Sequence, residues 1–483
     1  MTDLDRRTLL RLTGLGLGVG AITGCTSTAG PSSSPTGAAG KLVWWDQFLP
    51  TQQVEQEIFD EFAAGEGGVP VDYSVYDPAK MGQSLQLAKQ SGQMPDVFTL
   101  AGVGVPSSAL MEQGWFAPIE VSDDLRDELP AGTLLEGVTV FDGKVYGLPL
   151  FGWRMHDALN WFNRDLFAEA GLDPDAPPVS YDEVRAAARA IQRTGAAGWI
   201  APLQFTDRIA AQIHQLAEAA GSPSAGGVDL RTGEYVVDNE YYLNAIEWWV
   251  ALQADKVLFP GSGSLNARTA RARWAAGAAG MFFDGPYCIG VVAQDFAAFE
   301  GSVGVGQIPI PDPAGQVAIN HVVRGSTLWL SATSQQQQAA SALLSIMVGK
   351  DAQLRLLTGM NAPAIHPGIV GEADVHPTFR KAVEFCDRMD FLAPDPLVAN
   401  PDVAKVQAAS KPVEPGLGEI VAGVLSQDVP DARAALAKLR GDLTAARETA
   451  IGQAVGKGAE VGPDDWRFPD WQRGQDYTTQ PRR

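Results

Sequence analysis

The sequence predicts an α/β protein of two or more domains. Three observations carry this. Strand-like and helix-like stretches alternate through residues 41–100, the pattern of a layered domain with a largely parallel sheet. The chain has 483 residues, more than one hydrophobic core usually organises. Hydrophobic residues make up 45% of it, which is ordinary material for globular cores.

The first residues read differently. Arg6, Arg7 and Arg11 form a basic start, and the glycine-rich apolar run at 12–24 falls short of the roughly 20 residues a membrane-spanning helix needs. Together with the small residues before the break, this describes a signal peptide over 1–24. Asp5-Arg6-Arg7-Thr8-Leu9-Leu10-Arg11 resembles the twin-arginine export signal. Ile22-Thr23-Gly24-Cys25 resembles a bacterial lipobox, which implies cleavage before Cys25 and a diacylglyceryl group on its sulfur. Two acyl chains anchor stably where one is marginal. Residues 26–40 are only Ser, Thr, Gly, Pro and Ala, so 25–40 reads as a lipidated cysteine and a flexible tether reaching about 20 Å. The expected location is the outer face of the cell membrane.

Loss of 1–24 removes three arginines and two aspartates, so the formal charge of −21 becomes −22. That acidity excludes nucleic acid, whose phosphates require basic patches, and electrostatic adhesion to anionic lipid. Cys288 and Cys386 can pair outside the cell or remain buried thiols; the sequence leaves both open. The five histidines are scattered and no metal-ligand spacing occurs, so no metal or cofactor is expected.

Lys41–Phe48 reads as a strand. Pro50 and Thr51 open a helix with Val54, Ile58 and Phe62 on one face; Gly65, Gly67 and Gly68 stop it before a second strand, Val69–Tyr76. A helix near Met81–Gln90 and, after Pro95, a strand over Asp96–Leu100 follow. Ser180-Tyr181-Asp182-Glu183 is a capping box ahead of Val184, Ala188 and Ile191 on one face, and Gly195 ends that helix. Ser334 is expected to cap a Gln- and Ala-rich helix running to about Val348. Trp248, Trp249 and Trp274 fall at helical spacing and read as core. From about Gly456 the chain reads as a tail across the surface.

Several segments, in order, resemble the family-one extracellular solute-binding proteins, the carbohydrate-binding lipoproteins of ABC importers. They are DGKVYGLPLFG (142–152), ALNWFNRDLFAEAGLDPDAPPVSYDEV (158–184), RWAAGAAGMFFDGPY (273–287), VGVGQIPIPDPAG (303–315), RGSTLWLSATS (324–334) and FPDWQRGQDYTTQ (468–480). The resemblance implies a two-lobed periplasmic-binding-protein-like fold, with a hinge and a solute cleft between the lobes. Carried onto this chain, it implies a first lobe of 41–152 and 289–322, a second of 153–288 and 323–455, and a tail of 456–483. The crossings would lie near Leu150–Met155, Gly285–Gly290 and His321–Thr327. It also implies a monomer with ABC permease subunits as partners and a mono- or oligosaccharide as solute.

A sugar has apolar C–H faces, which rings pack, and a hydroxyl rim, which Asp, Asn, Gln and Arg bind. Useful residues should follow strands or lie at crossings. Trp45 and Asp46 end the first strand, and Tyr76 follows the second. Trp153 lies at the first crossing, Asp284 and Tyr287 at the second, and Arg324 at the third, where it could grip two hydroxyls. Gln204, Phe205 and Asn361 complete the candidates. Thr99-Leu100-Ala101-Gly102 after the third strand offers no tryptophan, a departure from relatives that stack a sugar there.

No catalytic residue is assigned. A glycoside hydrolase needs a carboxylate pair about 5 to 9 Å apart, which no short motif isolates. Gly261-Ser262-Gly263 lacks the full frame of a nucleophile elbow. A sensory or scaffold lipoprotein of the same fold is the other alternative. The anchor is directly testable: Cys25→Ser should move the protein from the membrane to the soluble fraction, and a variant held as firmly as wild type would refute the lipobox.

Overall fold

The computed structural model describes residues 40–478 except 77, 104, 106, 131 and 323–326. The signal peptide, Cys25, the tether up to residue 39, and Arg324 lie outside the described residues. Among the described residues, no helix is long and apolar enough to cross a membrane.

β1 (Leu42–Asp46) leads through a single 3-10 turn at Leu49–Thr51 into α1 (Gln52–Ala64), then β2 (Val71–Val75), α2 (Pro78–Ser91) and β3 (Val97–Phe98). Pro50 suits that first turn because a helix start leaves N–H groups unpaired in any case. Next come β4 (Gly147–Pro149), β5 (Leu159–Asn163), α3 (Tyr181–Gln192), β6 (Ala197–Trp199), α4 (Thr206–Ala220) and α5 (Glu240–Ala254). α6 (Ala267–Ala275), β7 (Ala279–Asp284), α7 (Cys288–Asp295), β8 (Val303–Gly306), β9 (Ile319–His321) and β10 (Thr327–Leu330) continue the chain. The final elements are α8 (Gln337–Val348), α9 (Lys350–Leu357), α10 (Pro377–Met389), β11 (Asp390–Leu392), α11 (Val403–Ala409), α12 (Leu417–Ser426) and α13 (Ala432–Gly456).

Two sheets organise most of these elements, while β9 and β11 pair with each other in a separate parallel ladder. The first has the order β2-β1-β3-β10-β4, and the second β8-β5-β7-β6. β1 runs parallel to β2 and β3, while β10 is antiparallel to both of its neighbours. In the second sheet only β5 is reversed. Each sheet therefore has one reversed strand, and each is the strand the chain enters on arriving from the other sheet. The link from β4 to β5 joins the carboxyl edges of both sheets, because Leu159 at the start of β5 pairs with Asp284 at the end of β7.

The capping box forms: Ser180 Oγ accepts the Glu183 N–H and the Glu183 carboxylate accepts the Ser180 N–H. Trp248, Trp249 and Trp274 are 4%, 2% and 0% exposed, in the cores flanking the second sheet. Trp44, Leu148, Leu328, Leu343 and Met347 pack the first. α8 begins later than Ser334, which instead accepts the Gln336 N–H and donates to Asp96 at 2.6 Å.

The strand pairings correct the expected lobe boundaries. Residues 303–306 pair with β5, so this part of 289–322 belongs to the second sheet. Residues 327–330 pair with β3 and β4, and α8 and α9 pack there too, so this part of 323–455 belongs to the first. Gly285–Gly290 is no crossing, since β7, α7 and β8 all stay with the second sheet. The chain returns instead between α9 and α10, through the loop holding Asn361. The tail is not superficial either: Phe468 and Trp471, each 2% exposed, pack with Leu230 and Ala393.

The first core holds a carboxyl pair. Asp46 accepts from Trp44 Nε1 and the Phe48 N–H, both at 2.9 Å, and Thr51 Oγ1 donates to Glu55 at 2.6 Å. The Tyr73 hydroxyl lies 3.1 Å from Asp46 and 3.2 Å from Glu55. Burial raises both carboxyls, and the Asp46 charge raises Glu55 further. Glu55 therefore keeps its proton in the folded protein at a pH where the unfolded chain has lost it. Stability from this group is complete at low pH and is lost as pH rises above the ordinary carboxyl range. Glu55→Gln, whose amide N–H replaces the carboxyl O–H, should flatten the fall of melting temperature as pH rises above the ordinary carboxyl range. Equal slopes in variant and wild type would mean that the pair ionises freely.

Candidate functional site

At the carboxyl edge of the first sheet, β1 and β2 end on two rings. Trp45 and Tyr76 are half-buried, with centroids 4.6 Å apart at 41°. Gln47 is hydrogen-bonded to Thr99 beside β3. The edge thus combines an apolar face with side-chain amide and hydroxyl groups.

At the carboxyl edge of the second sheet, a polar set forms around Asp284. Its carboxylate is 1% exposed and takes one guanidinium on each oxygen: Arg208 on Oδ1, and Arg271 on Oδ2 at 2.6 and 2.8 Å. Burial alone would raise this carboxyl, but Arg271 and Arg208 outweigh it and hold it below the usual range. Arg208 Nη2 also donates to the Tyr287 hydroxyl at 2.9 Å, and that hydroxyl donates to Asp157 at 2.8 Å. Asp157 is fixed in turn: its carbonyl accepts from Gln212 and its N–H donates to Gln215, both at 3.1 Å. The Asp157 side chain is 32% exposed and keeps an open face for a solute.

Between the sheets, the Arg154 guanidinium stacks 4.4 Å from the Trp153 ring centroid, and His321 lies 6.3 Å from the same ring. Behind them, Asp390 accepts from His156 at 3.0 Å and His321 at 2.6 Å. Burial pushes Asp390 upward, yet the two histidines prevail and hold it at about 2. The donor atoms of His156, Cys386 and Asp390 lie within 4.8 Å of one another. This cluster is invisible in the scattered histidines of the sequence; His156 Nδ1 faces Asp390, while its Nε2 is buried without a hydrogen-bond partner among the described residues. Cys288 and Cys386 are free and buried, which settles the disulfide question left open by the sequence.

Several expected site residues are thus relocated. Asp46 is 0% exposed and faces the core, where Trp44 and Tyr73 occupy it, so it cannot meet a solute. Asp284 is 1% exposed, and both of its oxygens are taken by Arg208 and Arg271. Trp45 stands with Tyr76, and Trp153 lies apart from both groups at the crossing. Gln204 and Phe205 are exposed before α4, with Phe205 at its N-cap. Asn361 is half-buried in the return loop, after Met360 at φ +48°. Asp157, Arg208 and Gln47 were not anticipated. A signal was available on α4, where Arg208, Gln212, Gln215 and Glu218 recur at helical spacing between apolar residues.

Comparison with known proteins bears on this geometry. The family model for bacterial extracellular solute-binding proteins matches residues 29–354. The sn-glycerol-3-phosphate-binding periplasmic protein UgpB of Rhizobium meliloti (strain 1021) is 24% identical over 324 residues, 62% of this chain and 69% of the relative. UgpB of Brucella abortus (strain 2308) is 24% identical over 316 residues, 62% and 68% of the two chains. Among solved structures, the cyclic alpha-maltosyl-1,6-maltose binding protein of Arthrobacter globiformis superposes with a TM-score of 0.60 at 20% identity, covering 86% of this chain and 99% of that one. The acarbose-binding GacH receptor of Streptomyces glaucescens GLA.O gives 0.62 at 19% identity, with the same coverage. These structures share the two-lobed fold, and the matched residues run through both sheets. The chain belongs to family one of the bacterial extracellular solute-binding proteins.

Proposed function

We propose that this protein captures a carbohydrate between the carboxyl edges of its two sheets and delivers it, unchanged, to an ABC importer. In this reading it is held at the membrane by lipid on Cys25. The observation that carries the proposal is the chemical division between the edges: paired rings at Trp45 and Tyr76, and an ordered polar set at Asp157, Arg208 and Tyr287. Rings suit the C–H faces of a sugar, and a carboxylate with a phenol suits its hydroxyls. The solved relatives named for maltose-derived and acarbose ligands support a sugar, whereas the UgpB relatives are named for a phosphate ester. The two charges of Arg208 and Arg271 are balanced by those of Asp284, which pairs with both, and of Asp157, 3.9 Å from Arg208, which disfavours a doubly charged phosphate. Trp153, Gln204, Phe205, Asn361 and Arg324 are proposed as flanking contacts.

A thermal-shift screen over mono- and oligosaccharides, with sn-glycerol 3-phosphate included, tests the solute class. The true ligand at 100 times its dissociation constant should stabilise by about 2.7 kcal/mol. A shift with the phosphate ester and none with any sugar would overturn the carbohydrate reading. X-ray scattering should record a smaller radius of gyration with the bound sugar, which should be recovered intact, because a ligand shifts the equilibrium only by preferring the closed form. Consumption of the sugar would make the protein an enzyme.

Trp45→Ala and Tyr287→Phe should each weaken sugar binding by about 1 to 3 kcal/mol in calorimetry; the melting temperature of the free protein should barely move for Trp45→Ala and fall for Tyr287→Phe, which deprives Arg208 and Asp157 of a partner. Asp46→Asn should do the reverse of Trp45→Ala, lowering stability without changing affinity in the folded fraction. Unaltered affinity in both of the first two variants would remove the sheet edges from the site.

A further inference from the structure

Apart from the two sheet edges, a cavity of about 360 Å³ lies among α11, α13, the loop before α12 and the segment after α4. Its walls are mainly apolar, with Leu230, Val322, Val406, Val413, Leu443 and Phe468 among them. Trp45, Tyr76, Asp157, Arg208 and Tyr287 are all absent from its lining.

One cation in that wall is unusual. Arg447 of α13 lies with its guanidinium carbon 4.7 Å from the Tyr235 ring centroid and 5.3 Å from that of Trp466. Its Nη1 atom is buried and makes no hydrogen bond among the described residues. No carboxylate among them pairs with it within 4 Å, although the exposed Glu234 and Glu448 act on it from farther away. The wall carboxylate, Asp395, is engaged at the Leu397 N–H at 2.9 Å. Exposed Lys411 adds a second positive charge to the lining.

Arg447 as a whole is half-buried, but a buried donor atom left unpaired on a cation is costly, and each such group needs a reason. Two rings hold the guanidinium by its faces, which leaves its edge for an anion. The size is that of a small-molecule pocket, and mainly aliphatic walls offer little to a hydroxyl-rich sugar. We propose that this cavity is a second binding site, which takes an aliphatic monocarboxylate with its head group on Arg447 and its chain against the valine and leucine walls.

Calorimetry on the full chain near neutral pH, with octanoate as probe and 1-octanol as its uncharged counterpart, tests this. Octanoate should bind one to one, about ten-fold or more tighter than octanol, as expected for a hydrogen-bonded charge pair. Arg447→Gln should lose about that factor for octanoate and leave octanol unchanged. Leu443→Phe, which narrows the cavity and keeps the arginine, should weaken both ligands; it serves as the test if Arg447→Gln does not fold. Absence of saturable octanoate binding, equal affinity for acid and alcohol, or octanoate affinity unchanged in a folded variant would each overturn the proposal.

Discussion

The carboxylate of Asp284 fixes the geometry of the second sheet's edge. It ends β7, takes Arg208 from α4 and Arg271 from α6, and through Arg208 it sets both Tyr287 and Asp157. Removing a carboxylate from water costs several kcal/mol, and only close, hydrogen-bonded partners offset it. Two guanidinium groups, one per oxygen, meet that condition. The same triad leaves the tyrosine hydroxyl and the Asp157 carboxylate oriented without leaving a free cation beside them. An edge built this way presents polar groups of fixed direction and little net charge, the character that discriminates among neutral hydroxylated molecules.

The passage between the sheets is made of backbone. A Cβ on Gly152, in the link from β4 to β5, would lie 2.2 Å from the Ala364 carbonyl oxygen, and one on Gly290 would lie 2.6 Å from that of Met360. Glycine at these two places lets the return loop pack directly against both the first crossing and α7. The histidine pair on Asp390 sits alongside, joining residue 156 of the first crossing to residue 321 near the next. The links between the lobes are therefore held to one another as well as to the lobes.

The fold was legible where local pattern decides it. Period-two and period-3.6 hydrophobicity located the early strands and helices, and the capping box marked the start of α3. The errors have physical causes. Strand alternation puts Asp46 on the same face as Trp44, which packs the first core, so the end of the strand carries a buried aspartate and not a cleft residue. Gly285-Pro286 marks a turn, but a turn carries no information about which sheet the chain joins next, and here it folds back onto its own. The pairing of Tyr287 with Asp157 spans 130 residues, and that of His321 with Asp390 spans 69. Such contacts exist only once the topology is set, and no short motif announces them.

The position of β10 has a consequence for how the chain reaches this structure. This strand, from residues 327–330, lies between β3 and β4, whose own residues come from 97–98 and 147–149. Until it arrives, β3 and β4 cannot be joined and each presents unpaired N–H and C=O groups, the condition that invites pairing with another chain. A nascent polypeptide must hold that gap open while the whole second sheet is synthesised, after both of its sides and before the strand that fills it. Closing it late is a contact of long sequence separation, which slows folding, and any truncation before residue 327 would leave a sheet with two raw edges at its centre.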